Sequence, residues 1–345
     1  MKTKLGDIAS YVNGYAFKPS DWSNEGAPII RIQDLTGNSY QMNRFNGNID
    51  SKYEVLEGDI LISWSASLGI YVWKGEKSFL NQHIFKVILD EKHVLKPFYI
   101  HQVEYILEKA GSQAHGATMK HLTRPVFNAL PFYLPNLEEQ KKIADELDCI
   151  SDLIDKHEQQ INALDELVKS RFIELFGDIK ELGIRWGEKA FKEVTYNLDS
   201  KRKPVKDADR KKMQGKYPYY GATGIVDHVN EYRQEGVFLL ISEDGKALEF
   251  RNKPIAFIAE GKIWVNNHAH VQQCKPECNM IYLMYYINLI DISAWVTGID
   301  QKKLNRENLD SIPVALPPVD IQEQFAAFVA EVDKSKHFSE LEVAA

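Results

Sequence analysis

The sequence predicts an α+β fold: two mixed α/β globules, separated by long antiparallel coiled-coil helices and related by a pseudo-two-fold internal repeat. Residues 116–144 match residues 298–326 at a constant offset of 182, with nine identities in 29 positions and no gap. Short β-rich runs precede each copy, and an apolar repeat with a period of about 3.5 residues follows the first. Solenoid repeats are only ~20–50 residues long, so the offset indicates a duplicated domain.

Length and composition agree with two folded domains. The chain has 345 residues, of which 44% are apolar and 11% aromatic. No apolar run reaches the ~18 residues that a membrane span needs, and no signal-peptide core follows the N-terminal lysines. Three cysteines are few and odd in number, which argues against a disulfide framework and predicts a reducing, cytoplasmic location.

Residues 1–135 are predicted to form the first domain. Strands are expected at 27–35, 58–64 and 84–89, where β-branched and aromatic residues cluster between turn residues. A helix is expected at 97–109, because its apolar residues recur at spacings of three and four.

Residues 136–178 are predicted to form one long central helix, which Gly177 is expected to end. Two apolar series interleave at spacings of four and three for about five heptads, as in a coiled coil. The segment carries twelve acids and five bases, so its charge equals the net charge of −7 of the whole chain. The positions predicted to face a partner helix or a docked subunit are Ile143, Leu147, Ile150, Ile154, Ile161, Leu164 and Val168.

Residues 179–317 are predicted to form the second domain, and residues 318–345 a C-terminal helix that is short. Strands are expected at 237–242, 254–259 and 263–267, and a helix at 281–290.

A basic loop in the second domain is the main candidate for nucleic-acid contact. Residues 201–216 carry eight bases and two acids and lead into the aromatic and glycine-containing stretch 217–224. Lysine and arginine neutralise phosphates, and flat or small residues allow close approach; a solvated loop is the alternative. The residues predicted to contact DNA here are Lys201, Arg202, Lys203, Lys206, Arg210, Lys211, Lys212, Lys216, Tyr217, Tyr219, Tyr220 and Thr223.

The repeated glycine loop supplies further candidates. It places Lys120 and Arg124 in the first copy and Lys302 and Arg306 in the second, either as phosphate or base-edge contacts or as exposed bases at the start of a helix. Secondary candidates, which contact a base or hold a strand turn, are Asn266, Asn267 and His268. In the first domain, the weaker candidates are Arg31, Gln33, Trp64 and His83.

Catalytic motifs are weak by comparison. Glu260 and Lys262 follow an apolar strand and resemble the Glu-x-Lys of metal-dependent nucleases, with Glu243 or Asp244 as the partner acid. No Walker-type or glycine-rich cofactor loop is present in the sequence. We therefore expect a binding protein without a catalytic site; the alternatives are a self-contained metal-dependent DNA nuclease and a coiled-coil scaffold without DNA specificity.

Zinc binding is an alternative role for the segment 264–278. Its potential ligands are His268, His270, Cys274 and Cys278, within eleven residues. The first domain keeps only one histidine at the matching place and no cysteine, so no metal site is expected.

Two helix-entry strings carry a family resemblance: LPNLEEQKKIADELDCISDLID at 134–155 and LPPVDIQEQFAAFVAEVDKSK at 316–336. They resemble those of specificity (S) subunits of type I restriction–modification systems. The segments 217–229 and 261–271 are similar to a target recognition domain of that family. The resemblance covers nearly the whole chain.

This resemblance implies that each domain recognises one half of a bipartite target in double-stranded DNA. The two helices would set the spacer and dock two methyltransferase (M) subunits, which restriction (R) subunits join. No cofactor is expected in this chain, since S-adenosylmethionine, ATP and magnesium act in the partner subunits. Family members carry a second helix of similar length to the first, whereas here only about 25 residues follow its start.

Overall fold

The computed structural model describes residues 2–38, 41–65, 67–113, 123–299 and 301–344. Their tertiary contacts divide the chain into two compact units, Met1–Asp155 (unit 1) and Lys156–Ala345 (unit 2). The division falls inside the central helix, so each unit includes part of that helix as well as a globular domain. Within the described residues, no helix combines the length and the apolar character that a membrane span requires.

Unit 1 is built from short strands and α-helices. Its strands are β1 (Lys2–Lys4), β2 (Ala9–Asn13), β3 (Ala27–Ile30), β4 (Arg44–Phe45), β5 (Glu54–Val55), β6 (Ile60–Ser63), β7 (Gly69–Val72), β8 (Ser78–Leu80), β9 (Ile84–Leu89) and β10 (Pro131–Tyr133). Its helices are α1 (Leu5–Ile8), α2 (Ile32–Leu35), α3 (Lys96–Gln113), α4 (Arg124–Asn128) and the first part of α5 (Leu137–Phe176). The strands form sheets in the orders β2-β9-β6-β7 and β4-β3-β8-β5, and β1 pairs with β10.

Unit 2 begins within α5 and contains one larger sheet. Its strands are β11 (Glu188–Ala190), β12 (Thr195–Asn197), β13 (Gln214–Gly221), β14 (Gly224–Val229), β15 (Gln234–Ser242), β16 (Ala256–Val265), β17 (Ala269–Cys274) and β18 (Pro313–Ala315). Its further helices are α6 (Leu182–Trp186), α7 (Phe191–Val194), α8 (Asp207–Arg210), α9 (Ala247–Phe250), α10 (Met280–Leu289), α11 (Arg306–Ser311) and α12 (Val319–Ala344). Six strands form one sheet in the order β12-β17-β15-β16-β13-β14.

The two units share one topology. The pair β1–β10 of unit 1 corresponds to β11–β18 of unit 2, and the order β2-β9-β6 corresponds to β12-β17-β15. In each unit one parallel pair breaks the antiparallel pattern, β3 with β8 and β13 with β16. The fold class predicted from the sequence repeat is therefore confirmed in its two α/β domains and internal repeat.

Two local predictions differ from the structure. The segment 27–35 is not one strand: β3 ends at Ile30, and the Asp34 carboxylate accepts a hydrogen bond from the Arg31 amide at 2.8 Å, which stabilises the turn of α2 instead. The segments 254–259 and 263–267 belong to one strand, β16, because β15 pairs with it without interruption. Gly261 lies between them with φ of +86°, a conformation that glycine adopts without strain.

The core of unit 2 joins its two long helices. The rings of Phe172 on α5 and Phe325 on α12 meet edge to face at 5.3 Å. Further along, Lys336 forms an ion pair with Asp165. From the first contact to the second, residue numbers fall on α5, from 172 to 165, and rise on α12, from 325 to 336. The two helices therefore pack antiparallel in this unit. The sequence predicts a helix over 136–178, and both ends of α5 lie within two residues of that range.

Candidate nucleic-acid interface

Four segments of unit 2 meet where strands of its sheet end. They are the turn 222–224 after β13, residues 243–246 after β15, the turn 266–268 between β16 and β17, and residues 301–303 before α11. We call this region the strand-end surface of unit 2. Loops supported at the ends of rigid strands are a common place for binding residues.

Backbone hydrogen bonds hold these segments together. The Asn266 amide donates to the Tyr220 carbonyl at 3.0 Å, and the Glu243 amide donates to the His268 carbonyl at 2.8 Å. The Gly245 amide donates to the Lys302 carbonyl at 3.3 Å. The backbone geometry of the surface is therefore fixed by pairs of segments that are distant in sequence.

Several side chains of the strand-end surface are open to solvent. Thr223 and Asn267 are exposed, and the imidazole of His268 is about half exposed while its Nδ1 lies 2.8 Å from an Asp244 carboxylate oxygen. Lys303 is also half exposed. Hydroxyl, amide, imidazole and ammonium groups of this kind can bond to base edges or phosphates.

A buried ion network lies directly beneath that surface. His270 is 1% exposed, with Nδ1 2.7 Å from the Asp199 carboxylate and Nε2 2.9 Å from the Leu304 carbonyl. Arg202 pairs with Glu243 at 2.6 Å and with Asp199 at 3.3 Å. Because both ring nitrogens of His270 face acceptors, both donate only when the imidazole is protonated.

The network lowers the pKa of both of its partly buried acids. Burial by itself raises the pKa of Asp199, but the hydrogen bond and charge of His270, the Val271 amide and Arg202 together hold it below the ordinary value. Burial also raises the pKa of Glu243, and Arg202, His270 and a hydrogen bond from Lys303 reverse that effect. Both acids are therefore structural carboxylates that stay ionised at neutral pH.

Two predicted DNA contacts belong to this network. Arg202 is only 16% exposed and is held by Asp199 and Glu243, so its guanidinium supports the surface from below instead of reaching a phosphate. Arg306 is 27% exposed and pairs with Asp310 at 2.5 Å. Sequence reasoning could not foresee the pairing of Arg202 with Glu243, since the two lie 41 residues apart, whereas Asp310 is only four residues from Arg306.

Unit 1 carries a matching strand-end surface. The Asn81 amide donates to the Ile30 carbonyl at 3.1 Å, as Asn266 does in unit 2, and the Trp64 amide donates to the His83 carbonyl at 3.3 Å, as Glu243 does. The rings of Trp64 and His83 meet at 5.0 Å, and His83 adopts a φ of +72°, which is uncommon for a residue other than glycine.

The weaker candidates of the first domain are thus brought to one place. Arg31 and Gln33 follow β3, Trp64 follows β6, and His83 precedes β9. Gln33 is exposed, whereas the guanidinium of Arg31 lies over the Trp22 ring at 5.6 Å.

The basic loop of unit 2 is exposed for most of its length. Arg210 is an exception, because it pairs with Asp227 at 2.6 Å and with Asp207 at 2.7 Å and lies over the Tyr219 ring. Lys211 pairs with Asp207 at 3.2 Å but is 75% exposed. The exposed lysines of this loop are Lys201, Lys203, Lys206, Lys211, Lys212 and Lys216.

An array of lysine and tyrosine side chains continues the basic loop across the sheet. Lys216 Nζ lies 5.3 Å from the centre of the Tyr217 ring, which meets the Tyr232 ring at 5.2 Å. Lys262 lies on β16, and its Nζ is 4.9 Å from the centre of the Tyr232 ring. We call these four residues the lysine–tyrosine array. Sequence reasoning missed Tyr232, although the string Glu231-Tyr232-Arg233 places an aromatic residue beside a base just before β15.

Three predicted contact residues are buried. Tyr219 is 1% exposed, and its hydroxyl accepts a hydrogen bond from the Val205 amide at 2.9 Å. Tyr220 is 9% exposed and stacks near Phe257. Asn266 is 7% exposed, and its side chain accepts a hydrogen bond from the His268 amide at 2.7 Å, so it holds the strand turn. Tyr219 and Tyr220 belong to two different core clusters, the first with Trp264 and the second with Phe238, which the aromatic run did not reveal.

The structure describes only the end of the first copy of the repeated glycine loop and all of the second copy except residue 300. Lys120 lies outside the described residues, and Arg124 is exposed at the start of α4. Lys302 is partly exposed on the strand-end surface of unit 2.

The nuclease alternative is not favoured by the geometry. Glu260 is exposed on β16, Lys262 lies 4.0 Å from Glu235, and the predicted partner acid Glu243 is held by Arg202 and Lys303. Within the described residues, no group of three or more His, Cys, Asp or Glu side chains is arranged to hold a metal ion.

The predicted docking positions on α5 differ in exposure. In unit 1, Leu147, Ile150 and Ile154 are 37%, 53% and 41% exposed, whereas Ile143 packs partly against the unit 1 core. In unit 2, Ile161 is half-buried, Leu164 packs against the core, and Val168 is fully buried within it. Val168 is therefore occupied by its own unit and is not open to another subunit.

Duplicated α/β units with polar strand-end surfaces define a class of two-domain binding proteins. The chain matches the type I restriction modification DNA specificity domain family over residues 1–166 and again over 184–342. These two matches cover nearly the whole chain, and the chain belongs to that family.

Individual relatives agree with this assignment. The chain is 38% identical over 139 residues, 40% of its length, to a protein described as a type I restriction enzyme specificity subunit from Haemophilus influenzae. It is 28% identical over 172 residues, 49% of its length, to the EcoBI specificity subunit of Escherichia coli. These matches span 34% and 36% of the two relatives, about a third of each.

A longer match and a solved structure extend the comparison. A specificity subunit of Methanocaldococcus jannaschii is 24% identical over 96% of this chain and 86% of its own length. The type I S subunit from M. genitalium superposes over 100% of this chain and 92% of its own, with a TM-score of 0.57 and 17% identity, so it shares the fold.

Proposed function

We propose that this chain is a non-catalytic DNA-specificity subunit of a type I restriction–modification complex. Its two units would each recognise one half of a bipartite target in double-stranded DNA. The observation that carries the proposal is that both units build a strand-end surface with the same two backbone hydrogen bonds, Asn266 to Tyr220 and Glu243 to His268 in unit 2 and their equivalents in unit 1. Two copies of one binding surface in one chain suit a target with two halves.

The chemistry of the exposed residues supports DNA as the ligand. In unit 2, Thr223, Asn267 and His268 offer donors and acceptors that suit base edges, and the adjoining lysines suit phosphates. Arg202 and Arg306 have the separate task of supporting that surface. Specificity would arise from the side chains above the ion network, and affinity from the basic loop.

The partner subunits would carry the reaction. The exposed side chains of Leu147, Ile150 and Ile154 lie close to one another on α5 and offer an apolar surface to a methyltransferase subunit. Restriction subunits would join that assembly. S-adenosylmethionine, ATP and magnesium would bind in those partners.

The test is to co-express the full chain with a methyltransferase subunit of its system and to map methylated positions genome-wide. We expect a split, asymmetric target with a fixed spacer, and alanine at Asn267 and His268 should relax only one half of it. A symmetric target would contradict recognition by two different units. A stable complex that leaves no methylation would count against the proposed specificity role.

A further inference from the structure

The loop that precedes β13 in unit 2 and the loop that precedes the equivalent strand β3 in unit 1 differ in charge. In unit 2, residues 198–213 connect β12 to β13 and carry seven bases and three acids. In unit 1, residues 14–26 connect β2 to β3 and carry one base, Lys18, and two acids. Since β3 and β13 occupy the same place in the shared topology, the contrast concerns one structural position in two units.

The lysine–tyrosine array of unit 2 extends that charge across the sheet. Both of its lysines lie over tyrosine rings, which pre-orders two ammonium groups at the surface. Tyr217 lies four residues before Gly221, the last residue of β13. At ~3.3 Å per residue, the two are about 13 Å apart along the strand. This is close to the ~12 Å width of the DNA major groove. Side chains at the strand end and in the array can therefore reach a base edge and a flanking phosphate of one duplex.

Unit 1 presents a different surface beside its entry loop. Two adjoining cavities of about 410 and 430 Å³ share Asn24, Gln41 and neighbouring residues. Trp22 and Asn43 line one of them, and Trp73 lines the other. Two cations beside them already have acidic partners: Arg44 is paired with Glu76 at 2.8 Å, and Arg31, whose guanidinium lies over the Trp22 ring, is 3.8 Å from an Asp34 carboxylate oxygen. Amide and indole groups recognise bases without neutralising phosphates.

We propose that the two units contribute unequally to DNA binding: unit 2 anchors the duplex through its phosphates, and unit 1 binds mainly through uncharged contacts. This inference rests on the proposed function. The salt dependence of binding would then come chiefly from unit 2, because each neutralised phosphate adds about 0.9 to the slope of log K against log salt concentration.

The test compares two matched double variants of the full chain in complex with its methyltransferase subunit. K216M with K262M removes the two lysines of the array, and K18M with K74M removes two exposed lysines of unit 1. Binding is measured on a 40-bp duplex that carries the target identified by methylation mapping and on a random-sequence 40-bp duplex. Both are titrated over a series of salt concentrations. We expect the unit 2 variant to lower the slope by about two on both duplexes, and the unit 1 variant to leave it unchanged.

A third variant tests the uncharged contacts. N24A with N43A should weaken binding to the target about tenfold while the salt slope stays that of the wild type. The inference is overturned if the unit 2 variant keeps the wild-type slope, if the unit 1 lysine variant lowers the slope equally, or if N24A with N43A binds the target as the wild type does. A wild-type complex without any sequence preference would instead overturn the proposed function.

Discussion

Gln140 and Gln322 make the same three hydrogen bonds, each within its own unit. The Gln140 side-chain oxygen accepts from the Leu95 amide at 2.9 Å, and its nitrogen donates to the carbonyls of His93 and Pro135 at 2.8 and 2.9 Å. The Gln322 oxygen accepts from the Asn279 amide at 2.8 Å, and its nitrogen donates to the carbonyls of Glu277 and Pro317.

Both glutamines are fully buried near the start of a long helix, α5 or α12. Each therefore connects that helix to the segment just before an earlier helix of the same unit, α3 or α10, and to a proline before its own helix. A buried amide with both of its groups bonded fixes the position of the elements that it joins.

Replacing Gln322 with alanine should destabilise unit 2 by about 3 kcal/mol, because the Asn279 amide and two carbonyls lose a buried partner. Urea unfolding followed by circular dichroism measures the change. Glu323→Ala, at the next and exposed position, is the matched control and should change stability by less than about 0.5 kcal/mol. Equal stabilities of the two variants would show that the three hydrogen bonds do not hold the helix.

The packing of α5 against α12 gives a second prediction. Phe325 is fully buried between Phe172 and Phe176, so Phe325→Ala should cost about 3–5 kcal/mol. Ile173 on α5 is 50% exposed, and Ile173→Ala should cost less than about 1 kcal/mol. Thermal unfolding of both variants decides the matter: similar losses in the two would mean that the ring cluster contributes no more than an exposed side chain.

The sequence was sufficient for the features that depend on local pattern. The offset of 182 predicted the duplicated architecture, and the 3.5-residue apolar period predicted α5 to within two residues at each end. Gln140 and Gln322 stood among the nine identities of the repeat, but their matching hydrogen bonds could not be inferred, because the partners other than the prolines lie 43 to 47 residues away along the chain.

Candidate residues were harder to predict, since burial depends on long-range packing. Tyr219 and Tyr217 differ by two residues and point to the same face of β13, yet the first is buried beneath Arg210 and the Val205 segment while the second is partly exposed. The composition of the basic loop suits an exposed segment, and most of its lysine side chains are exposed in the structure. It could not separate them from Arg202, whose acidic partners come from elsewhere in the fold.

The buried network of Asp199 and Glu243 predicts acid lability of unit 2. Both carboxyls have a pKa below the ordinary value in the folded chain, so their contribution to stability is present above their unfolded pKa values near 4 and is lost as pH falls through the lower folded values. The melting temperature should therefore fall as the pH drops below about 4. Asp199→Asn should flatten this fall while lowering stability at pH 7; an unchanged pH profile would exclude Asp199 as its source.

The exposed apolar residues of α5 in unit 1 give a direct test of subunit docking. Leu147→Glu places a charge on the surface proposed to contact a methyltransferase subunit, where desolvating an unpaired carboxylate is costly. We expect at least a tenfold weaker complex in an affinity measurement, with unchanged helicity. Cys149→Glu is the matched control, since this exposed residue lies two positions on, about 200° around the helix. If both variants bind the methyltransferase subunit as tightly as the wild type does, the docking surface lies elsewhere on the chain.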